Sequence, residues 1–175
     1  MNYIILAFLF ILSGFFMKIS DDLYDVNNNM IFSTFLGILC AIASVLATLY
    51  NTDAAYLFIS ILIGNLIALK VDGIHHIITS VVFLVTLLFV GIPHLNSLVL
   101  LICILAALSD EIGHEKISKL TANRFINLFF EYRFVMKIIV LLLAVRGIFD
   151  IRVFICFILF EISYEGAGLL FEKFY

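Results

Sequence analysis

Charge is scarce in this chain, and the scarcity excludes a whole class of proteins. Of 175 residues, 13% are charged and 65% are hydrophobic, and mean hydropathy is +1.22. One soluble core cannot hide that share of apolar side chain, so a water-soluble globular domain is excluded and an integral membrane protein is expected. The length is too small for two domains of ordinary size, which leaves a single domain over residues 1–175. Cysteine is also sparse. Cys40, Cys103 and Cys156 lie far apart inside apolar runs, as small buried hydrophobes do, and form neither a disulfide frame nor a metal cluster. Low-complexity tracts and solenoid-type repeats are missing. The apolar run Tyr3 to Phe16 follows Asn2 directly, without the basic region and small-residue cleavage site of a signal peptide, so the first segment is expected to stay. The net charge of -3 says little about partners, because most of the surface of such a chain meets lipid. Membrane lipid is the expected surroundings, and nucleic acid is not an expected partner.

What is present is a succession of apolar runs. About 20 such residues cross a hydrocarbon core, with tolerance for tilt and shorter runs. About seven segments qualify: 2–19, 30–50, 55–70, 75–94, 96–109, 125–145 and 151–170. The fold expected is an all-α, polytopic transmembrane helix bundle. After the odd segments come the polar joints KISDDLYDVNNN, KVDGIHH and SDEIGHEKISKLTANR. After the even ones come only NTDAA, PHLNS and RGIFDIR. Lys18, Lys70, Lys116, Lys119, Arg124, Arg133, Lys137 and Lys173 share the rich face, against Arg146 and Arg152 on the other. The positive-inside rule makes the rich face cytoplasmic, with the N-terminus outside and the C-terminus inside. Acidic clusters recur four spans apart, which hints at a pseudo-repeat.

The chemistry of these joints leaves alternatives open. Asp22, Asp25 and Asn29 stand at i, i+3 and i+7, so a helix continuing through them would turn three oxygen donors to one side, suiting a divalent cation. The other reading is a solvated acidic loop in which Asn28 or Asn29 caps the second span. In SDEIGHE, Asp110 pairs with His114 and Glu111 with Glu115 at i, i+4. The like-charged pair weakens a helix unless a cation compensates it. Glu111 and His114 also have the Glu-x-x-His spacing of di-iron helices, although such helices carry two copies and only one is present. In ALKVDGIHH, Lys70 suits a phosphate, Gly73 permits a sharp turn, and Asp72 is placed to cap the next span. His75 and His76 are neighbours and should point about 100° apart on a helix, away from a shared metal. Arg124, Arg133 and Lys137 suit phosphate oxygens or lipid headgroups equally well. Glu161 and Glu165 lie inside the last span, where an ionisable group is a functional candidate. Asp53, Pro93 and His94 read as turn residues of the opposite face.

Taken together, the joints resemble the UbiA family of intramembrane prenyltransferases, in which an Asn-Asp-x-x-Asp-x-x-x-Asp motif closes one span and a second Asp-rich motif closes the span four later. DDLYDVNNN is similar to the first, with Asp21 at the Asn position, Asp22 and Asp25 matching, and Asn29 replacing the last Asp. SDEIGHE is similar to the second, with Glu111 and Glu115 as stand-ins for its carboxylates, and Lys70 and Gly73 match a Leu-Lys-x-x-Gly joint between them. The resemblance implies Mg²⁺ held by Asp21, Asp22, Asp25 and Asn29 from one side and by Asp110, Glu111, His114 and Glu115 from the other. It implies a prenyl diphosphate bound by Lys70, Arg124, Arg133 and Lys137, with catalysis resting on Asp22, Asp25 and Lys70. Diphosphate would leave and the allylic group would pass to an acceptor in a lipid-open groove, for which 19 Phe and 7 Tyr supply aromatic lining. The family's bundles carry more spans than this chain, which leaves room for a second copy or a partner chain to complete the bundle. Two rival functions stand beside this one. One is a membrane hydrolase or oxidase with His75, His76, Glu111 and His114 on Zn²⁺ or Fe. The other is a transporter or scaffold in which Glu161 and Glu165 carry protons or ions.

Overall fold

A computed structural model of the chain describes residues 2–117 and 123–174, so Lys119 lies outside the described residues. Eight α-helices account for nearly all of it: α1 (Tyr3–Asp25), α2 (Met30–Tyr50), α3 (Thr52–Ile67), α4 (Ile74–Val90), α5 (Ser97–Ile112), α6 (Arg124–Glu131), α7 (Phe134–Val145) and α8 (Ile151–Phe174). A π-helical turn, Gly113–Ile117, continues α5. Among the described residues there is no strand. Four stretches, Tyr3–Asp25, Met30–Tyr50, Ser97–Ile117 and Ile151–Phe174, are long and apolar enough to cross a membrane. Large apolar side chains such as Ile4, Phe8, Phe35, Leu88 and Leu169 stay exposed along the helix flanks. In water such a surface would aggregate, whereas in lipid it is the natural exterior. The chain is a membrane-embedded helical bundle.

Asparagine starts most of these helices. The side chains of Asn2, Asn29, Asn51, Asn96 and Asn123 accept from backbone N–H groups in the first turns of α1, α2, α3, α5 and α6. Each satisfies donors that have no partner within the helix, a matter of greater weight where water is scarce. For α8 the cap is Asp150, whose Oδ1 accepts from Arg152 N at 2.9 Å. Two helices lack such a cap from their own N-terminal residue, α4 and α7, and both begin beside the cavity described below.

The first and last helices run parallel. Tyr3 hydrogen bonds Asp150, Ser163 Oγ donates to Ile11 O at 2.8 Å, and Gly168 meets Lys18 farther along. Gly14 makes that packing possible, because a Cβ there would lie 2.3 Å from the Phe160 carbonyl oxygen. Small residues at such crossings let backbones approach in lipid, where van der Waals contact and interhelical hydrogen bonds replace the hydrophobic drive. Hydrogen bonds of that kind join α1 to α2: Ser13 to Ser44 at 2.6 Å, and Ser20 and Ser33 each to the other's carbonyl at 2.8 Å. The core at the centre is aromatic, with the rings of Phe10 and Phe58 4.9 Å apart and those of Phe58 and Phe160 6.1 Å apart. Cys40, Cys103 and Cys156 are buried within the bundle and unpaired.

The expected segment 125–145 is not one helix. It divides at Tyr132 and Arg133 into α6 and the 12-residue α7. Arg133 takes a left-handed conformation, φ +48°, between them. The break has a cause in another helix: the Asp110 carboxylate accepts from Val135 N at 2.9 Å and Met136 N at 2.7 Å. A buried carboxylate reaching from α5 thus fixes where α7 begins. With 12 residues, α7 spans only about 18 Å.

Candidate functional site

The two ends of the bundle differ in their polar groups. At one end, α1, α3, α4, α5, α7 and α8 surround a cavity of about 550 Å³. Its wall carries Asp21 and Asp25 from α1, Lys70 and Asp72 from the α3–α4 joint, His75 and His76 from α4, and Asp110, Glu111 and His114 from the end of α5. Tyr24, Asn65, Arg133 and the α8 residues Glu161 and Tyr164 add to its polar lining, and Phe157 and Phe160 form an apolar floor. Segments as far apart in sequence as Asp21 and Tyr164 therefore converge, including both acidic clusters and the lysine joint.

Not every residue expected there takes part. Asp22 turns away from the cavity and its Oδ1 pairs with Lys18 Nζ at 2.9 Å. Asn29 cannot share a helix side with Asp22 and Asp25, because α1 ends at Asp25 and Asn28 is left-handed, φ +51°. Asn29 instead caps α2 through Phe32 N, 3.2 Å away. Asp110 lies against the cavity, but both its oxygens accept the backbone N–H groups at the start of α7, so its place in the expected metal set is taken by helix capping. Arg124 is exposed at the start of α6, outside the cavity wall. Lys137 leans on Glu161, Nζ to Oε2 3.2 Å, and donates to the Tyr132 carbonyl, so that pair neutralises itself inside the bundle. Glu165 is exposed.

The strain expected of the Glu111 and Glu115 pair is relieved twice over. The π-helical turn begins between them and alters their i, i+4 stacking. Each carboxylate also has its own cation: Arg133 Nε donates to Glu111 Oε1 at 2.9 Å, and Lys70 Nζ lies 3.5 Å from Glu115 Oε2. Arg133 lies 5.7 Å over the Tyr164 ring as well, so the guanidinium is held in place between α5 and α8.

Two expectations at the α3–α4 joint are corrected. Asp72 makes no cap for α4, which starts at Gly73 without a side-chain hydrogen bond. His75 and His76 do not point apart: both turn to Asp21, with each Nε2 3.5 Å from its Oδ1. The rings lie 4.0 Å apart, and Tyr24 stacks on His75 at 4.3 Å. Gly73 is required for this, since a Cβ there would come within 2.6 Å of the His75 ring nitrogen Nδ1. The first turn of a helix need not hold the splay of an ideal one, and a carboxylate between two rings draws both inward.

Sequence reasoning passed over Asn65, Asp72 and Tyr164 as wall residues. A signal for Tyr164 was present: Phe157, Phe160, Glu161 and Tyr164 have the 3–4 residue spacing of one helix face. Asn65 carries no comparable mark. Comparison with protein-family models, curated proteins and solved structures finds no match to this chain.

Proposed function

We propose that the chain is an intramembrane enzyme acting on a polyprenyl diphosphate, releasing diphosphate with the aid of Mg²⁺ and transferring the prenyl group to an acceptor. One observation carries the reading: the carboxylates of Asp25 and Glu111, the cations Lys70 and Arg133, and the uncapped start of α4 line one cavity whose floor is Phe157 and Phe160. An oxygen-rich anion suits that wall. Free N–H groups at a helix start bind phosphate oxygens, Arg adds a fork and Lys a point charge. Carboxylate oxygens fit a hard cation that comes with its diphosphate, and Asp25, Asp72 and Glu111 are the residues that would hold it. Bound there, Mg²⁺ supplies charge neutralisation for the departing diphosphate.

The reaction in this reading breaks the carbon–oxygen bond of the prenyl diphosphate, with the electron pair leaving on diphosphate. A nucleophilic acceptor forms the new bond to the same carbon and gives up a proton. Lys70 and Arg133 stabilise the leaving charge, while the Phe157 and Phe160 faces keep water away and favour a developing allylic cation. In this reading the chain crosses seven times, counting α6 and α7 together as one, with the cavity on the cytoplasmic side, the N-terminus outside and the C-terminus inside. The parallel course of α1 and α8 supports an odd count, and the surplus of Lys and Arg at the cavity end supports the orientation. A second copy or a partner chain fits against the exposed apolar flanks in this arrangement.

The test is release of diphosphate from geranylgeranyl diphosphate by the protein in liposomes. Release should require Mg²⁺ and fall about 100-fold in Lys70→Ala and in Asp25→Ala. Release that is metal-independent, or unchanged in both variants, contradicts the proposal.

A further inference from the structure

Three groups in the cavity do not suit magnesium. Ligand atoms of Asp21, His75 and His76 lie within 4.8 Å of one another, and Nε2 of each ring is 3.5 Å from Asp21 Oδ1. Neither pair makes a hydrogen bond. Separation of this size is instead the edge of a coordination polyhedron: ligands about 2.1 Å from a tetrahedral ion stand about 3.4 Å apart. His75 is 2% exposed, and among the described residues neither of its ring nitrogens has a hydrogen-bond partner; nor has Asp21 Oδ1. Buried polar atoms are seldom left so, and the two that face each other, Asp21 Oδ1 and His75 Nε2, with His76 Nε2 turned to the same oxygen, point to a ligand between them.

The donors also state the kind of ion. Magnesium demands oxygen and keeps much of its water, whereas two imidazoles with one carboxylate select a borderline transition metal. The rings are set in advance by Tyr24 stacked on His75, by the close backbone of Gly73, and by Thr79 Oγ1, which donates to the His75 carbonyl at 2.7 Å. Asp25 and Asp72 add negative potential at His76. We propose that Asp21, His75 and His76 form a three-ligand site for a divalent transition metal of the zinc, iron or manganese class, with its remaining positions turned into the cavity. Its motivation is separate from the diphosphate reading, and either can fail without the other.

Zn²⁺ and Co²⁺ titrated into the purified chain in detergent, in magnesium buffer, test this. One equivalent of each should bind, Co²⁺ with the visible absorption of a site containing nitrogen ligands, and Zn²⁺ should raise the thermal unfolding midpoint. His76→Gln, partly exposed and so tolerable to the fold, should weaken Zn²⁺ binding about tenfold or more and abolish the rise in midpoint. Asp21→Asn should do the same, while His114→Gln and His94→Gln bind as the unaltered protein does. No binding above that of magnesium would overturn the proposal. So would equal binding by His76→Gln, or loss of binding in His114→Gln instead.

Discussion

The two ends of the bundle use polar side chains in opposite ways. At the end away from the cavity a set of such groups is engaged by other parts of the chain. Tyr3 Oη donates to Asp150 Oδ2 at 2.5 Å, Asp150 N donates to Asp53 Oδ2 at 2.8 Å, and Asn96 N donates to Tyr56 Oη at 2.5 Å. Asn2 N reaches Tyr50 Oη at 3.0 Å, and Arg152 lies 4.7 Å over the Tyr3 ring. At the cavity end, Asp21 and His75 keep buried atoms without hydrogen bonds, and α4 starts uncapped. Both ends use polar groups to hold helices together, but at the cavity end Asp21 Oδ1 and the His75 ring nitrogens are left without such partners, at a cost in stability.

Substitutions should expose that difference, beginning with the residue that belongs to both ends in kind: Asp110 lies in the cavity wall but works as a clamp. Asp110→Ala leaves two buried N–H groups at the start of α7 without an acceptor and should cost about 3 kcal/mol in detergent unfolding. A loss of binding without a loss of stability would return Asp110 to the ligand set. Next comes Gly14→Ala, whose Cβ would press on the Phe160 carbonyl and force α1 and α8 apart, for about 2 kcal/mol. Because Phe160 is part of the cavity floor, this variant should lose ligand binding along with stability.

Asp21→Asn should separate the two properties. Stability should stay within about 0.5 kcal/mol of the parent or rise, because a poorly paired buried carboxylate is removed, while metal binding is lost. Equal losses in both would mean that Asp21 is a structural residue like those of the opposite end. The smallest effect is expected of Tyr3→Phe, which should lower the unfolding midpoint slightly and leave every cavity property unchanged. Its pH dependence has a definite sign. The Tyr3 hydroxyl holds the Asp150 carboxyl below its ordinary value, with Arg152 assisting, so the folded state favours the ionised form. That contribution is complete above the ordinary aspartate value of about 3.9 and is lost as pH falls through the lower folded value. The gap between parent and Tyr3→Phe should therefore close in strong acid.

Much of the helical plan was legible in the sequence because lipid imposes it: runs of apolar residues, separated by polar joints, mark the helices, although α1 runs on to Asp25, past the expected end at 19. The segment 30–50 coincides with α2, and the joints rich in charge do meet at one cavity. The break in 125–145 was not legible, since it depends on Asp110 reaching across from another helix and no local residue announces it. The direction of the acidic side chains was hidden for the same reason. Whether Asp22 or Asp21 faces the cavity turns on helix rotation, which the packing of Gly14 against Phe160 and the Lys18 pair with Asp22 determine together. His75 and His76 misled through an ideal-helix angle: in the first turn of α4 both rings turn to the same carboxylate. The asparagine caps, by contrast, stand in the sequence at five of the eight helix starts among the described residues.

The most direct measurement is binding of geranylgeranyl thiodiphosphate, a non-departing substrate mimic, to the liposome-reconstituted chain with and without Mg²⁺. The account predicts tight binding only with the metal, lost in Lys70→Ala and Asp25→Ala and retained in Tyr3→Phe. Binding that ignores magnesium, or that survives in both cavity variants, would contradict it.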